Sequence, residues 1–308
     1  MNLKTDFNYQ TIELSPDYEG KVIATLITSK FNTGNRKSVL YLHGYVDYFF
    51  HPHLGKKFIE NEFDFYALDL RKYGRSLLEY QHPNYCLTIE EYFEEISIAI
   101  RQINKVSKFP IFILGYSTGG LIASSYLNSG KERALIKGLI LNSPFFNFNM
   151  SDLKKRMMIS AAKAMSFISP YSKVEGILPP VYTQSIHKDF YGEWDFNLKW
   201  KPIEGFPIYF KWILAINNAQ KKLKDSNLQI PILVMHSSQS GKISTFSDKA
   251  MSSDIVLNVE DMKRIGSGLG DRVTLLGVDK AQHDIFLSPK EVREEAFNEM
   301  FIWLDKVT

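Results

Sequence analysis

The chain has 308 residues, 44% of them hydrophobic, and 37 basic side chains against 34 acidic ones, a formal charge of +3. That suits one large domain with room for an inserted subdomain, excludes bulk disorder, and gives no electrostatic footprint for nucleic acid. Cys86 is the only cysteine, so no disulfide can form within the chain; the first residues carry no apolar signal core, and no apolar run reaches the roughly 18 residues of a spanning helix. A soluble, cytoplasmic protein is expected, with transient contact with lipid left open.

Taken in order, Thr11-Ile12-Glu13-Leu14 and Val22-Ile23-Ala24-Thr25-Leu26-Ile27 alternate about Asp17-Tyr18-Glu19-Gly20 and predict an antiparallel hairpin. Ser38-Val39-Leu40-Tyr41-Leu42 is the first buried strand and runs straight into His43-Gly44-Tyr45; Phe63 to Leu68 is the next and ends at Asp69. Thr88-Ile89-Glu90-Glu91 opens a helix with a capping box, and Ile89, Tyr92, Phe93, Ile96, Ile100, Ile103 and Val106 follow at helical spacing. Pro110 to Leu114 is a strand, Leu121 to Asn128 a helix, and Ile136 to Leu141 another strand. Strands alternating with helices imply a mostly parallel sheet with crossovers.

Residues 147–230 break the alternation: Met, Phe, Tyr and Trp are frequent, and Pro179-Pro180, Pro202 and Pro207 interrupt them. The expectation is a core of residues 1–146 and 231–308 and a mainly helical insertion at 147–230. The insertion lies over the carboxyl ends of the strands as a lid, since ligands bind there in open α/β sheets. Met157, Met158, Met165, Phe167, Trp194, Phe196, Trp200, Phe206, Tyr209, Phe210 and Trp212 are its candidates for an acyl pocket. The plainer alternative is one more packing layer. Strand character returns at Ile232-Leu233-Val234-Met235 and again at Arg272 to Val278. Residues 237–253 read as a flexible polar loop, and Ser288-Pro289-Lys290-Glu291 predicts the start of the last helix.

The chemistry centres on Gly115-Tyr116-Ser117-Thr118-Gly119. A strand before it and a helix after it make a nucleophile elbow: the glycines clear space at a strained turn, Ser117 stands above the sheet edge, and the Thr118 N–H faces developing negative charge at a helix N-terminus. The same five-residue pattern also occurs by chance in turns; its flanks favour a catalytic serine. No Gly-Lys-Ser/Thr follows, which excludes a P-loop, and no Gly-x-Gly-x-x-Gly spacing supports a dinucleotide turn. A serine needs a base, and the base an orienting carboxylate. Of the seven histidines, His283 is the best base, late in the chain and after the last strand. His43 is expected to shape a backbone turn and His236 to support the acid loop.

Together, His43-Gly44-Tyr45, Asp69-Leu70-Arg71-Lys72-Tyr73-Gly74-Arg75-Ser76, the Ser117 elbow and Gln282-His283-Asp284 resemble an α/β-hydrolase of the lysophospholipase/monoacylglycerol-lipase group, also called serine aminopeptidase-like hydrolases, over residues 20–308. The resemblance implies an α/β-hydrolase fold, Tyr45 and Thr118 N–H groups as the oxyanion hole, and a structural role for Asp69 and Arg75. It also implies a carboxylate directly after the strand ending at Met235, where this chain reads His236-Ser237-Ser238-Gln239-Ser240. An Asp-x-Val appears later, at Asp254-Ile255-Val256, after an apparent insertion. Asp254 is taken as the acid, with Asp248 and Asp261 as rivals and a simple turn cap as the plain alternative.

His51-Pro52-His53 has the look of a metal pair, but no further ligand set follows, so no metal is expected, and no cofactor. Arg71, Lys72 and Arg75 form a basic cluster, read as a solvated loop rather than a phosphate site. The expected function is hydrolysis of carboxylic esters with an apolar acyl part, such as monoacylglycerol or lysophospholipid, through an acyl-enzyme. Two alternatives remain open: an aminopeptidase or amidase, for which Glu193 and Asp195 in the insertion are candidate ammonium ligands, and a non-catalytic hydrolase-fold binding protein.

Overall fold

The computed structural model describes residues 1–174 and 180–307; Pro179, one of the predicted interruptions of the insertion, lies outside them. The two alternating segments form β1 (Phe7–Asp17) and β2 (Gly20–Ser29), paired antiparallel. β3 (Lys37–Leu42), β4 (Phe63–Asp69), β5 (Ile111–Tyr116), β6 (Ile136–Asn142), β9 (Ile232–Ser237) and β10 (Val273–Val278) follow. The eight strands lie in the order β1-β2-β4-β3-β5-β6-β9-β10, parallel from β4 onward. This is the α/β-hydrolase arrangement that the sequence predicts.

Period-two alternation along the central strands explains why the sheet is covered on both faces. Leu40, Leu42, Ile111 and Ile113 face one layer, made by α2 (Phe93–Val106), α3 (Thr118–Ser129) and α6 (Phe210–Lys222). Val39, Tyr41, Phe112 and Leu114 face the other, made by α1 (Pro52–Glu60) and the last helix, Lys290–Val307. The register pairs Leu42 with both Leu68 and Gly115, so His43, Asp69 and Ser117 all emerge at one edge of the sheet.

Four expectations change in detail. The capping-box helix begins as a 3-10 turn, Ile89–Tyr92, with the Thr88 N–H donating to Glu91 Oε1 at 3.1 Å, before α2 takes over. The last helix starts at Lys290, and the Ser288 hydroxyl accepts from the Gln282 N–H at 2.9 Å, tying down the loop that carries His283. The insertion holds α4 (Asp152–Ile168), α5 (Val181–Ile186), the short antiparallel strands β7 (Lys173–Val174) and β8 (Ile208–Tyr209), and α6. Its last helix packs into the main core: Trp212, Ile213, Ala215, Ile216 and Ala219 of α6 are buried there. The basic cluster, finally, is not solvated. Lys72 is fully buried between Asp17 and Glu19, at 2.7 and 2.5 Å, and its ammonium lies over the Tyr18 ring. Arg71 makes a forked pair with buried Glu95, with contacts of 2.7 to 3.1 Å. These cations brace the loop after β4, and removing one partner of such a buried pair costs about 3–5 kcal/mol.

Candidate active site

Ser117 occupies the turn between β5 and α3 with φ 51° and ψ −115°. Positive φ is rare for a residue with a Cβ and costs on the order of 1–3 kcal/mol, so the surroundings must impose it. They do: the Ser117 N–H donates to Asn142 O at 2.9 Å, and Ser117 O accepts from the N–H groups of Gly120 and Phe145, both at 3.0 Å. The glycines are explained by contact rather than by freedom. A Cβ on Gly119 would lie 2.3 Å from Leu42 O and 2.4 Å from His43 O, and one on Gly115 would lie 2.7 Å from Gly119 O. The end of β3 therefore crosses directly against the start of α3. A Cβ on Gly44 would stand 3.3 Å from Ser117 Cβ, which puts the Gly44 backbone, next to Tyr45 in the chain, beside the serine, and Thr118 takes the first position of α3.

The structure brings three of the predicted residues into one line. Ser117 Oγ and His283 Nε2 are 3.0 Å apart, and His283 Nδ1 and Asp254 Oδ2 are 2.8 Å apart. An ionised carboxylate only accepts, so Nδ1 carries the proton and Nε2 is free to accept from the serine hydroxyl. All three side chains are buried or nearly so. Asp248 and Asp261 do not reach the ring: Asp248 begins a 3-10 turn, and Asp261 accepts from Asn147 and pairs with Arg264.

The position of Asp254 has a local cause. Residues 241–253 leave the end of β9 and return, and Ser240 and Asp254 close the excursion as a parallel bridge, with the Gly241 N–H donating to Asp254 O at 2.7 Å and the Asp254 N–H to Gln239 O at 3.0 Å. The carboxylate thus stands just beyond the strand end despite its later number. Its other oxygen, Oδ1, accepts from the N–H groups of Val256 and Leu257 at 2.9 and 2.8 Å. Asp254 therefore caps a turn and faces His283 at once. The excursion is less loose than its composition suggests: it holds a 3-10 turn, Asp248–Met251, and Phe246 stacks on Tyr191 of the insertion.

The other histidines are occupied. His43 Nε2 accepts from the Leu70 N–H at 3.1 Å and its Nδ1–H donates to Gly44 O at 2.8 Å, which shapes the turn as expected; burial holds its pKa below the usual value. His236 bonds its own strand end, Ser237 O, at 2.8 Å rather than the acid loop, and burial lowers its pKa too. His51 stacks on Phe50 and lies 3.4 Å from Asp284 Oδ2. His53 stacks on Trp194 and donates to Phe286 O at 2.9 Å, its pKa pushed down to about 3 by burial. Among the described residues, no three His, Cys, Asp or Glu side chains are grouped to hold a metal. Asp69 Oδ1 accepts from the Phe49 N–H at 2.9 Å and Oδ2 from Arg75 Nη1 at 2.7 Å, which fixes the loop after β3.

Ser117 opens into a cavity of about 610 Å³. Its walls are mostly apolar: Phe145, Phe148 and Met150 after β6, Ile208 and Trp212 of the insertion, and Ile243, Val256 and Leu257 beside the acid, with Lys201 and Lys242 among the polar lining residues. Of the eleven side chains named from the sequence, Met158 and Trp212 line it. Phe196 packs on Phe50 and Trp200 on Tyr48, while Phe167 is 92% exposed. No Asp or Glu is among the described lining residues. Glu193 instead pairs with Arg293, and Asp195 with Lys188 at 2.9 Å, both on the outside. Sequence reasoning missed two residues that line the cavity: Tyr182, whose hydroxyl meets that of Tyr116 at 2.9 Å, and Lys201, paired in the interior with Asp47. Lys201 and Tyr182 carry no sequence motif that could have found them.

A family model described as serine aminopeptidase, S33, matches residues 33–256, most of the chain. The chain belongs to that family. It is a hydrolase of the α/β-hydrolase fold, in the group that holds lysophospholipases and monoacylglycerol lipases. Solved structures agree on the fold. A soluble variant of monoglyceride lipase from Saccharomyces cerevisiae, in complex with a substrate analog, superposes with a TM-score of 0.71 at 18% identity, covering 98% of this chain and 97% of that one. A monoacylglycerol lipase from Paleococcus ferrophilus gives 0.65 at 18% identity, covering 98% and 100%. A thermostable carboxyl esterase from Bacillus coagulans, in complex with glycerol, gives 0.68 at 14% identity, covering 97% and 98%. No curated protein matches the sequence.

Proposed function

We propose that this hydrolase is a serine esterase acting on acyl esters with an apolar chain, such as monoacylglycerols or lysophospholipids. Ser117 Oγ attacks the acyl carbon while its proton passes to His283 Nε2, and Asp254 holds the imidazole and stabilises its cation. The N–H groups of Tyr45 and Thr118 receive the oxyanion. The alcohol leaves with the proton from His283, and water, deprotonated by the same base, releases the acid and restores Ser117. The observation that carries this reading is the line Ser117–His283–Asp254 at the floor of an apolar cavity. The described lining residues are mostly apolar and include no carboxylate, which favours a neutral acyl ester over a substrate with a free ammonium group. The yeast and Paleococcus lipases are named for monoglyceride and monoacylglycerol substrates, which gives the substrate class a precedent on this fold.

Residues 147–230 serve in this reading as a lid, with α4, α5 and β8 over the cleft and α6 in the core. Burial of each chain methylene is worth up to ~0.8 kcal/mol, about fourfold in affinity, until the cavity is full. A series of p-nitrophenyl and monoacylglycerol esters tests this: kcat/KM should climb with chain length from acetate to a medium or long chain. A steady fall from acetate would reject the acyl pocket and leave a short-ester cleft.

The lid also supports transient lipid contact. Leu153, Met157 and Ile168 share a helical face of α4 and are 69%, 65% and 76% exposed, with Lys154, Arg156 and Lys163 beside them. An apolar stripe flanked by cations suits an anionic lipid surface. No helix of the described residues is long and apolar enough to cross a membrane. Binding to anionic phospholipid vesicles that is lost in Leu153→Ser/Met157→Ser/Ile168→Ser supports this contact, and equal binding of the variant rejects it.

A further inference from the structure

We infer that Lys201 is a positioning residue for the oxyanion-binding loop, so that the insertion completes the catalytic geometry as well as covering it. This rests on reading Ser117 as the nucleophile and the Tyr45 N–H as an oxyanion donor. Lys201 stands between α5 and β8, far in sequence from the loop after β3, yet it is 4% exposed and borders the cavity. Its ammonium donates to Asp47 Oδ1 at 2.9 Å and lies 3.5 Å from Val46 O.

Those two partners follow Tyr45 directly. Val46 sits at φ 50°, a conformation that a β-branched side chain disfavours and that an outside contact must hold. Asp47 is 1% exposed, and its Oδ2 is buried without a hydrogen-bond partner. Among the described residues the Asp47 carboxylate therefore leans on Lys201. The rings of Phe50 and Phe196, 5.6 and 5.7 Å from the ammonium, keep water off the pair. The insertion grips the same loop a second time: the Tyr45 hydroxyl donates to Pro207 O at 3.2 Å, and the Tyr45 and Trp212 ring centroids are 4.2 Å apart.

A buried ion pair is a weak source of stability, since an apolar pair of similar volume often serves as well. What it adds is direction. The contacts on Val46 O at 3.5 Å and Asp47 Oδ1 at 2.9 Å pin the chain just after Tyr45, while His43 Nδ1 holds Gly44 O, on the peptide that carries the Tyr45 N–H, at 2.8 Å. A donor held from both sides and aimed at the oxyanion acts in the transition state rather than on the bound substrate. Lys201 touches no reacting atom in this scheme; it works through the loop.

The test compares wild type with Lys201→Met and Lys201→Arg, counting active sites with a fluorophosphonate probe so that misfolded protein does not enter kcat. Lys201→Met should lower kcat per titrated site by on the order of 10²-fold while KM moves by less than about threefold, the split expected when a transition-state interaction is lost. A trifluoromethyl ketone that forms a tetrahedral adduct on Ser117 should bind more weakly by a similar factor, and Lys201→Arg should recover most of the loss. Unchanged kcat per titrated site in Lys201→Met, or a loss confined to KM, overturns the inference. If Lys201→Met does not fold because Asp47 is left uncompensated, Lys201→Met/Asp47→Leu removes both charges: the same kcat loss supports the inference, and wild-type kcat overturns it. Fluorophosphonate labelling that persists in Ser117→Ala would fault the underlying nucleophile assignment instead, and is measured separately.

Discussion

Replacing Asp254 by Asn exposes the logic of the site, because the structure dictates which way the new amide must face. Asp254 Oδ1 accepts two backbone N–H groups, from Val256 at 2.9 Å and Leu257 at 2.8 Å, while Oδ2 faces His283 Nδ1 at 2.8 Å. Turning the amide so that its NH₂ meets those two N–H groups would forfeit both bonds, at about 1 kcal/mol each before the cost of unsatisfied donors. The carbonyl therefore stays on the turn and the NH₂ faces the ring. An amide N–H donates, so Nδ1 must give up its proton, and the imidazole carries it on Nε2 instead. Nε2–H then points at Ser117 and cannot take its proton. The expected loss is on the order of 10⁴-fold in kcat, about 5.4 kcal/mol in barrier, with little change in fold. Initial rates of p-nitrophenyl ester hydrolysis, with circular dichroism as the control for folding, measure it. Asp248→Asn and Asp261→Asn should stay near wild type. Asp254→Asn within tenfold of wild type, or a comparable loss in either control, would refute the assignment of the acid.

Two further outcomes follow from geometry and from titration. Gly119→Ala places a Cβ 2.3 Å from Leu42 O and 2.4 Å from His43 O, backbone atoms of a central strand, so it should destabilise the fold by about 1–3 kcal/mol or more and abolish hydrolysis. Gly268→Ala, whose Cβ would meet Ile265 O at 3.5 Å, should do neither; equal melting temperatures for the two variants would contradict the packing of the elbow. His53 is held neutral in the fold, its pKa depressed to about 3 by burial, so the unfolded chain takes up its proton first as pH falls. Its contribution is intact above the unfolded value near 6.5 and is lost progressively below it, by about 2 kcal/mol at pH 5. His53→Gln, which keeps a donor for Phe286 O, should flatten the fall in melting temperature between pH 7 and 5; an unchanged slope would remove His53 from the account.

What the sequence reveals depends on whether the signal is local. The central strands are legible because buried apolar runs end at residues with chemistry: Leu42 at His43, Leu68 at Asp69 and Leu114 just before Gly115. Ser117 is legible because its glycines are a local steric necessity. His283 follows from chain order. The residues that escaped are those whose partners come from far along the chain. Arg71 and Lys72 look like a solvated basic cluster until Glu95, Asp17 and Glu19 close around them. The aromatic residues of the insertion look like a tunnel, yet Phe196 and Trp200 are spent on Phe50 and Tyr48 and α6 joins the core, because composition cannot say which face of a helix meets the sheet. Asp254 was recognisable only as a displaced motif; the bridge from Ser240 that returns it to the strand end has no sequence signature.

The identity of the nucleophile is the claim on which the functional reading turns. Mass spectrometry of the protein after reaction with a fluorophosphonate should find one adduct, on the peptide that contains Ser117, formed in step with the loss of ester hydrolysis. Ser117→Ala should take up no label and hydrolyse at least ~10⁴-fold more slowly. An adduct on any other serine, or a Ser117→Ala protein that labels and hydrolyses like wild type, would contradict the account.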